Sequence, residues 1–409
     1  MTQTPLSDYV ALINRRFEQK GQAPTLLGIG PMSEEVLLAA LELGRDMHFL
    51  VIFIASRNQV DGKQFGSGYV KGWDQAAFVD ASRRLAEKAR FDGPLYICRD
   101  HGGPWQRDEE RSPAIPEPDA MKSAKDSYRQ DLLAGFRVLH IDPTRDPESL
   151  TPVPLATVLK RTVELIGFIE EERRKAVIPP ITYEVGTEET AGGLTEPDVL
   201  KGFIGDLCAA LERDKLPVPC LIVGQTGTLI KMDRNMGGFN GDHARRLGEL
   251  ARSFGMGLKE HNADYLSDDV LREHPRLGVT SANVAPEFGR AHTVALLALA
   301  QQVGDPGFIT LVERKALASG RWRKWLLPEQ RGMTAAQIRD NRVVLDQVAE
   351  VCGHYVYDDP EVTEARNRLF ERALAAGMSD PERRVLDGIK ASIGRYAKAF
   401  SLAGLASAV

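Results

Sequence analysis

Eight short apolar runs recur along the first three quarters of the chain, and each leads into a segment of helical periodicity. The runs are Thr25–Gly30, His48–Ala55, Pro94–Cys98, Phe136–Asp142, Ile181–Glu189, Val218–Gln225, Met256–Asp264 and Leu277–Asn283. Strands alternating with helices imply a parallel sheet, because parallel neighbours need a crossover connection. Eight units of roughly 30–40 residues have the size of a closed (β/α)₈ barrel, the TIM barrel. An open doubly wound sheet would concentrate its polar residues at one switch point. Here polar clusters follow the third to the eighth run, which favours closure. The expected class is therefore α/β, a (β/α)₈ TIM barrel over residues 1–305 with a helical C-terminal extension over 306–409.

The intervening segments carry helix signals. Ser33 stands before Glu34 and Glu35, a cap with acids in the first turn. Further helices are expected over Leu6–Lys20, Asp74–Arg90, Asp119–Ala134, Leu155–Ala176, Glu196–Asp214 and Asp242–Phe254, with an apolar one ending at Leu299. Beyond residue 305 the pattern is helical only: Met333–Gly353, Pro360–Gly377 and Pro381–Leu405, with Trp322 and Trp325 in the connector. Such an extension suits a cap or an oligomer contact, and a homo-oligomer is expected.

Composition narrows the function classes. With 409 residues, 43% of them hydrophobic, the chain can bury a large core. A net charge of −5 argues against a general nucleic-acid binder. No apolar run approaches the ~20 residues of a membrane span, and the N-terminus lacks the order of a signal peptide. Cys98, Cys208, Cys220 and Cys352 are widely spaced, as in reduced thiols of a cytoplasmic protein.

The chemistry gathers at the ends of the runs. Tyr96-Ile-Cys-Arg-Asp-His-Gly-Gly-Pro-Trp105 reads as a buried strand ending in an acid and an imidazole, then a tight turn. In a parallel barrel such strand ends face the active-site mouth. Asp100 beside His101 offers a metal ligand next to an acid or base, or simply a capped turn. His140 and Asp142 share one strand face, suited to a metal, to the hydroxyls of a polar ligand or to a structural pair. Glu184 and Glu188 also share a face; Glu188, at the strand end, is the preferred site acid. Asn58, Gln59, Asn262 and Asp264 can hydrogen-bond a polar ligand. Trp105 suits an apolar wall for a ligand, or a packed loop.

Five ordered motifs resemble the accessory (Z) subunit family of class II tagatose-bisphosphate aldolases, of galactitol and N-acetylgalactosamine catabolism. They are Ser56-Arg-Asn-Gln-Val60 with Gln64-Phe-Gly66, Asp100-His-Gly-Gly-Pro104, Ala134-Gly-Phe-Arg-Val-Leu-His-Ile-Asp142, Val185-Gly-Thr-Glu188 with Gly192-Gly193, and Glu260-His-Asn-Ala-Asp-Tyr265. The resemblance implies a TIM barrel, a ketose or ketose-phosphate ligand and a divalent metal, usually zinc. By motif His101 and His261 correspond to metal histidines and Asp100 to the residue that moves the C4-hydroxyl proton. The pattern wants a further histidine near the sixth strand end, where this chain has Lys231-Met-Asp-Arg-Asn235. There Asp233 is a substitute ligand, and Lys231 and Arg234 are candidates for a substrate anion. His140 is a further metal candidate. Three functions follow: a metal-dependent ketose aldolase or 4-epimerase, a non-catalytic partner of a separate aldolase subunit, or another TIM-barrel sugar isomerase.

Overall fold

Runs that are apolar at every position can be satisfied only where both faces of a strand are covered. That is where they lie. The computed structural model describes residues 4–147, 153–186 and 194–408. Its barrel strands are β1 (Leu26–Ile29), β2 (Val51–Ser56), β3 (Leu95–Gly102), β4 (Val138–Ile141), β5 (Thr182–Gly186), β6 (Leu221–Val223), β7 (Gly257–Glu260) and β8 (Val279–Val284). Each is parallel to its sequence neighbour, and β1 pairs with β8 to close the ring. The chain is a TIM barrel with C-terminal helices, as the alternation of runs implies.

The helices between strands start where the caps stand. Ser33 Oγ accepts the Val36 N–H at the head of Glu34–Met47, and Asp74 accepts that of Ala77 at the head of Gln75–Ala89. Helix Leu6–Lys20 lies under the barrel floor, where Asn14 donates to the Met256 carbonyl at 3.0 Å.

Two register features aim the site. Neighbouring residues of a strand normally face opposite ways. Between Arg99 and Gly102 the β3–β4 register shifts, and His101 adopts a left-handed backbone, φ 43°. A local break of this kind re-aims side chains, and here it brings Asp100 and His101 to the same mouth. Behind it Arg99 turns outward and grips Asp131 of helix Glu117–Ala134 at 2.5 and 2.8 Å. Gly103 then passes so close to the next strand that a Cβ would lie 2.2 Å from the Asp142 carbonyl oxygen. Its φ of 149° is also one that side chains rarely adopt.

The C-terminal part adds helices Pro306–Ala318, Ala335–Arg339, Arg342–Cys352, Pro360–Ala375 and Pro381–Ala399. The expected helix from Met333 is broken into two, with Asn341 capping the second. Pro306–Ala318 falls where no helix is expected. The last helix lies on Glu34–Met47 and Pro286–Gln302, and its Leu386, Ile389, Ile393 and Tyr396 join the barrel's own apolar core. Among the described residues no helix is long and apolar enough to cross a membrane.

Candidate active site

At the C-terminal ends of β3, β4, β5 and β7, inward positions carry ionisable groups instead of aliphatic ones. The period-two alternation selects them. On β7, Lys259 points inward and Glu260 outward, where Glu260 meets His274 at 2.9 Å; His261 points inward again. On β4 and β5, His140 and Glu184 are register partners and stand side by side.

These positions converge. The imidazole centroids of His101, His140 and His261 lie 4.7–5.4 Å from one another. Ligand atoms of His101, His140 and His261 lie within 4.8 Å of each other, and so do those of Asp100, His140, Glu184 and His261. His261 Nε2 is 3.3 Å from Glu184 Oε1 and 3.7 Å from Asp100 Oδ1. His140 Nδ1 is 3.7 Å from each of the same two carboxylates. It also accepts the His101 backbone N–H at 3.2 Å. Its Nε2 is buried and has no hydrogen-bond partner among the described residues.

Charge balance explains why three imidazoles and two carboxylates can be buried together. Lys259 Nζ donates to Glu184 Oε2 at 2.6 Å. Burial alone would raise the Glu184 carboxyl; the Lys259 ammonium, then His140 and His261, bring it down to about 2. Burial opposes ionisation of Asp100 too, but His101, His261, the His140 contact and Lys259 hold it far below the usual carboxylate range. Burial would lower His101, and Asp100 and Asp142 raise it instead. Asn283 of β8 donates to Asp100 Oδ1 at 3.2 Å.

Each of the two groups, which share His140 and His261, is a donor set suited to a divalent cation. Imidazoles and carboxylates are its usual ligands. His101 is also held as a metal histidine is usually held: its Nδ1–H donates to Asp142, leaving Nε2 for the mouth.

The other residues singled out from the sequence take different places. Asp142 grips His101 and Thr144, so its carboxylate orients an imidazole rather than reaching for a sugar. Asn58 ties two loops together, donating to the Gln106 carbonyl and accepting from Asp108 N–H. Gln59 accepts the Ser56 N–H and donates to Met32 Sδ. The Asp264 carboxylate accepts the N–H groups of Ala285 and Glu287, capping helix Pro286–Gln302. Asn262 has a left-handed backbone, φ 62°, and its carbonyl accepts from Asn235. Asp233 pairs with Arg234 at 3.2 Å and lies outside the two ligand groups. Lys231 donates to the Lys324 carbonyl. Trp105 is packed, bonded to the Ile115 carbonyl with Arg161 over its ring. Glu188, with Glu189, Gly192 and Gly193, lies outside the described residues.

Within the described cluster the β5 acid is Glu184, which ranks below Glu188 in sequence. Lys259 and Asn283 carry no signal in motif terms. The signal for Lys259 is its spacing: a cation two positions before His261 in an apolar strand faces the same way.

Comparison with known proteins agrees with this architecture. Residues 12–200 match a family model described as "D-tagatose-1,6-bisphosphate aldolase subunit GatZ/KbaZ-like". A solved protein of Sinorhizobium meliloti 1021, described as a probable tagatose 6 phosphate kinase, superposes with TM-score 0.74 at 20% identity, over 92% of this chain and 100% of its own. The fructuronate-tagaturonate epimerase UxaE from Cohnella laeviribosi gives TM-score 0.60 at 12% identity, over 97% and 86%. The YdjI aldolase from Escherichia coli K12 gives 0.51 at 13%, over 97% of each chain. At these identities the superpositions establish the fold, and residues 12–200 are similar to the GatZ/KbaZ-like family.

Proposed function

We propose that the mouth of the barrel is a metal-assisted site for making and breaking the C3–C4 bond of a ketose, as an aldolase or a 4-epimerase. The observation that carries this reading is the convergence of Asp100 with His101 and His261 on one cluster. His101, His140 and His261, whose ligand atoms lie within 4.8 Å of one another, would hold the cation. When bound, a divalent ion, zinc by first choice, supplies Lewis-acid stabilisation of negative charge on the ketone oxygen.

The chain's own residues do the rest. Ionised Asp100 accepts the proton of the C4 hydroxyl, so that the C3–C4 bond can break toward a C4 carbonyl. The Asn283 amide keeps the Asp100 carboxylate oriented. Lys259 keeps Glu184 ionised in a site where an unpaired carboxylate would otherwise take up a proton. Asp142 fixes the His101 ring. Epimerisation uses the same steps if the C4 carbonyl turns its other face before the bond re-forms.

A second reading rests on the word "subunit" in the matching family's description. Under it the chain stabilises a separate aldolase subunit and turns over nothing itself. One experiment separates the two. The purified protein alone, with zinc or manganese, is incubated with tagatose, fructose, their 6-phosphates and their 1,6-bisphosphates, and followed by NMR. Triose release identifies an aldolase, and C4 inversion without release an epimerase. No reaction with any of them, together with stabilisation of a co-expressed aldolase subunit, supports the second reading.

A further inference from the structure

The two donor groups at the mouth overlap, and only one of them contains carboxylates. His101, His140 and His261 form the first; Asp100, His140, Glu184 and His261 form the second. Taken as side chains alone, the second is the better site for a divalent ion. It offers two imidazoles and two carboxylates, all buried. Carboxylate charge is what offsets the cost of taking a cation out of water. A cation is already there. Lys259 stands just before Glu260 and His261 on β7, so its side chain enters the barrel on the same face as His261, one step deeper. That side chain is 5% exposed, and its Nζ lies 2.6 Å from Glu184 Oε2.

This contact divides Glu184. Its Oε2 faces the ammonium, while Oε1 faces His261 Nε2 at 3.3 Å and His140 Nδ1 at 3.7 Å. With Oε2 held by Lys259, Glu184 is not free to grip an ion through both oxygens. Asp100 Oδ1 completes the group, 3.7 Å from each of the same two imidazole nitrogens. Among the described residues, Lys259 is the one permanently charged cation within ion-pair distance of either carboxylate. Asn283, on the Asp100 side, is a neutral amide. Two divalent ions at the mouth would therefore set three cations against two carboxylates, among buried groups where like charges repel strongly.

We propose that Lys259 is a built-in cation that takes the place of a second metal ion at the Asp100–Glu184 pair. The mouth then holds a single divalent ion, on the three imidazoles, and Asp100 keeps its lone pairs for a substrate proton. Resting on the metal-assisted reading above, this assignment gives Lys259 control over how many ions the mouth takes. Its consequence is that the carboxylate-bearing group becomes a second ion site once the ammonium is removed. A pair that is merely structural would lose stability on removal of Lys259 and gain no ion.

The test counts ions. Wild-type protein, Lys259→Ala, Lys259→Arg and the double variant Lys259→Ala with Glu184→Gln are stripped with a chelator and dialysed against zinc or manganese. Bound metal is then measured by mass spectrometry. The wild type and Lys259→Arg should hold about one ion per chain, Lys259→Ala about two, and the double variant about one again. Manganese reports where the second ion sits. Two manganese ions that share ligands, roughly 3.5–4 Å apart, give a spin-coupled paramagnetic resonance spectrum in place of the isolated-ion signal. Excess zinc should raise the melting temperature of Lys259→Ala more than that of the wild type, because an ion bound only by the folded state stabilises it. Two ions in the wild type, or one in both the wild type and Lys259→Ala, overturns the proposal and leaves the metal reading standing. No ion in the wild type and one in Lys259→Ala supports the role of Lys259 and removes the three-imidazole site. No ion in either removes both. Should Lys259→Ala fail to fold, Lys259→Gln decides in its place: it keeps a hydrogen-bond donor for Glu184, loses the charge, and should also take the second ion.

Discussion

His101 Nδ1 lies 2.7 Å from Asp142 Oδ2, and Asp142 is buried while the far edge of the imidazole faces the mouth. The contact fixes which ring nitrogen carries the proton and leaves Nε2 as the lone-pair donor. A residue that in sequence competes for a sugar-binding role thus acts through its neighbour. Asp142→Asn keeps the shape but removes the charge. Its effect should be a roughly 10–100-fold loss of metal affinity with an unchanged fold. Competition against a chelating dye measures the first and circular dichroism the second; unaltered affinity would remove His101 from the ligand set.

Asp100 is the predicted proton acceptor. Asp100→Asn retains the acceptor atom for Asn283 and deletes the base. Turnover should fall by roughly 10²–10⁴-fold while ketose binding survives. Steady-state kinetics beside calorimetry separate the two. A variant that turns over normally would move the proton transfer to another group.

Glu184 and Lys259 form a buried pair at 2.6 Å. Removing one partner strands the other, at a cost of about 3–5 kcal/mol. Lys259→Met should therefore be strongly destabilised in urea, and adding Glu184→Gln should recover part of the loss. The pH dependence follows from Glu184, whose folded pKa is about 2 against an ordinary 4.5. A depressed carboxyl stabilises the fold above its unfolded pKa. This contribution is complete above pH 4.5 and is lost as pH falls from there toward 2. In Lys259→Met the loss should begin at higher pH. Equal stability of Lys259→Met and the wild type near pH 7 would contradict the pairing.

Asp264 has the opposite sign. Burial first, and then Glu287, raise its carboxyl to about 8, despite the N–H groups it accepts. A raised carboxyl favours the fold below its unfolded pKa, near 3.8, and that contribution is lost as pH rises from about 4 to 8. Asp264→Asn keeps the acceptor oxygen and cannot ionise. Its melting temperature relative to the wild type should therefore increase steadily between pH 5 and 8. A difference that stays flat with pH would show that Asp264 is already ionised in the fold.

The barrel was legible in the amino-acid sequence because burial on both faces is a local demand. A strand covered by helices outside and neighbours inside must be apolar throughout, as Val51–Ala55 is, and that run is visible without knowing its partners. The Asp100-His101 strand end was legible for the same reason, since polarity that interrupts such a run has to serve a mouth or a cap. Choice among polar residues was not local. Asp142 and Asp264 look alike in sequence; one orients an imidazole and the other caps a helix, because of what ring closure places opposite them. Glu184 gained its role from Lys259, 75 positions away. Lys324 sits in a connector without a motif, and only the packing of the extension against the β6 loop brings its carbonyl to Lys231. Hydrophobic periodicity is carried by neighbours in the chain, whereas an ionic site is defined by distances that only tertiary closure sets.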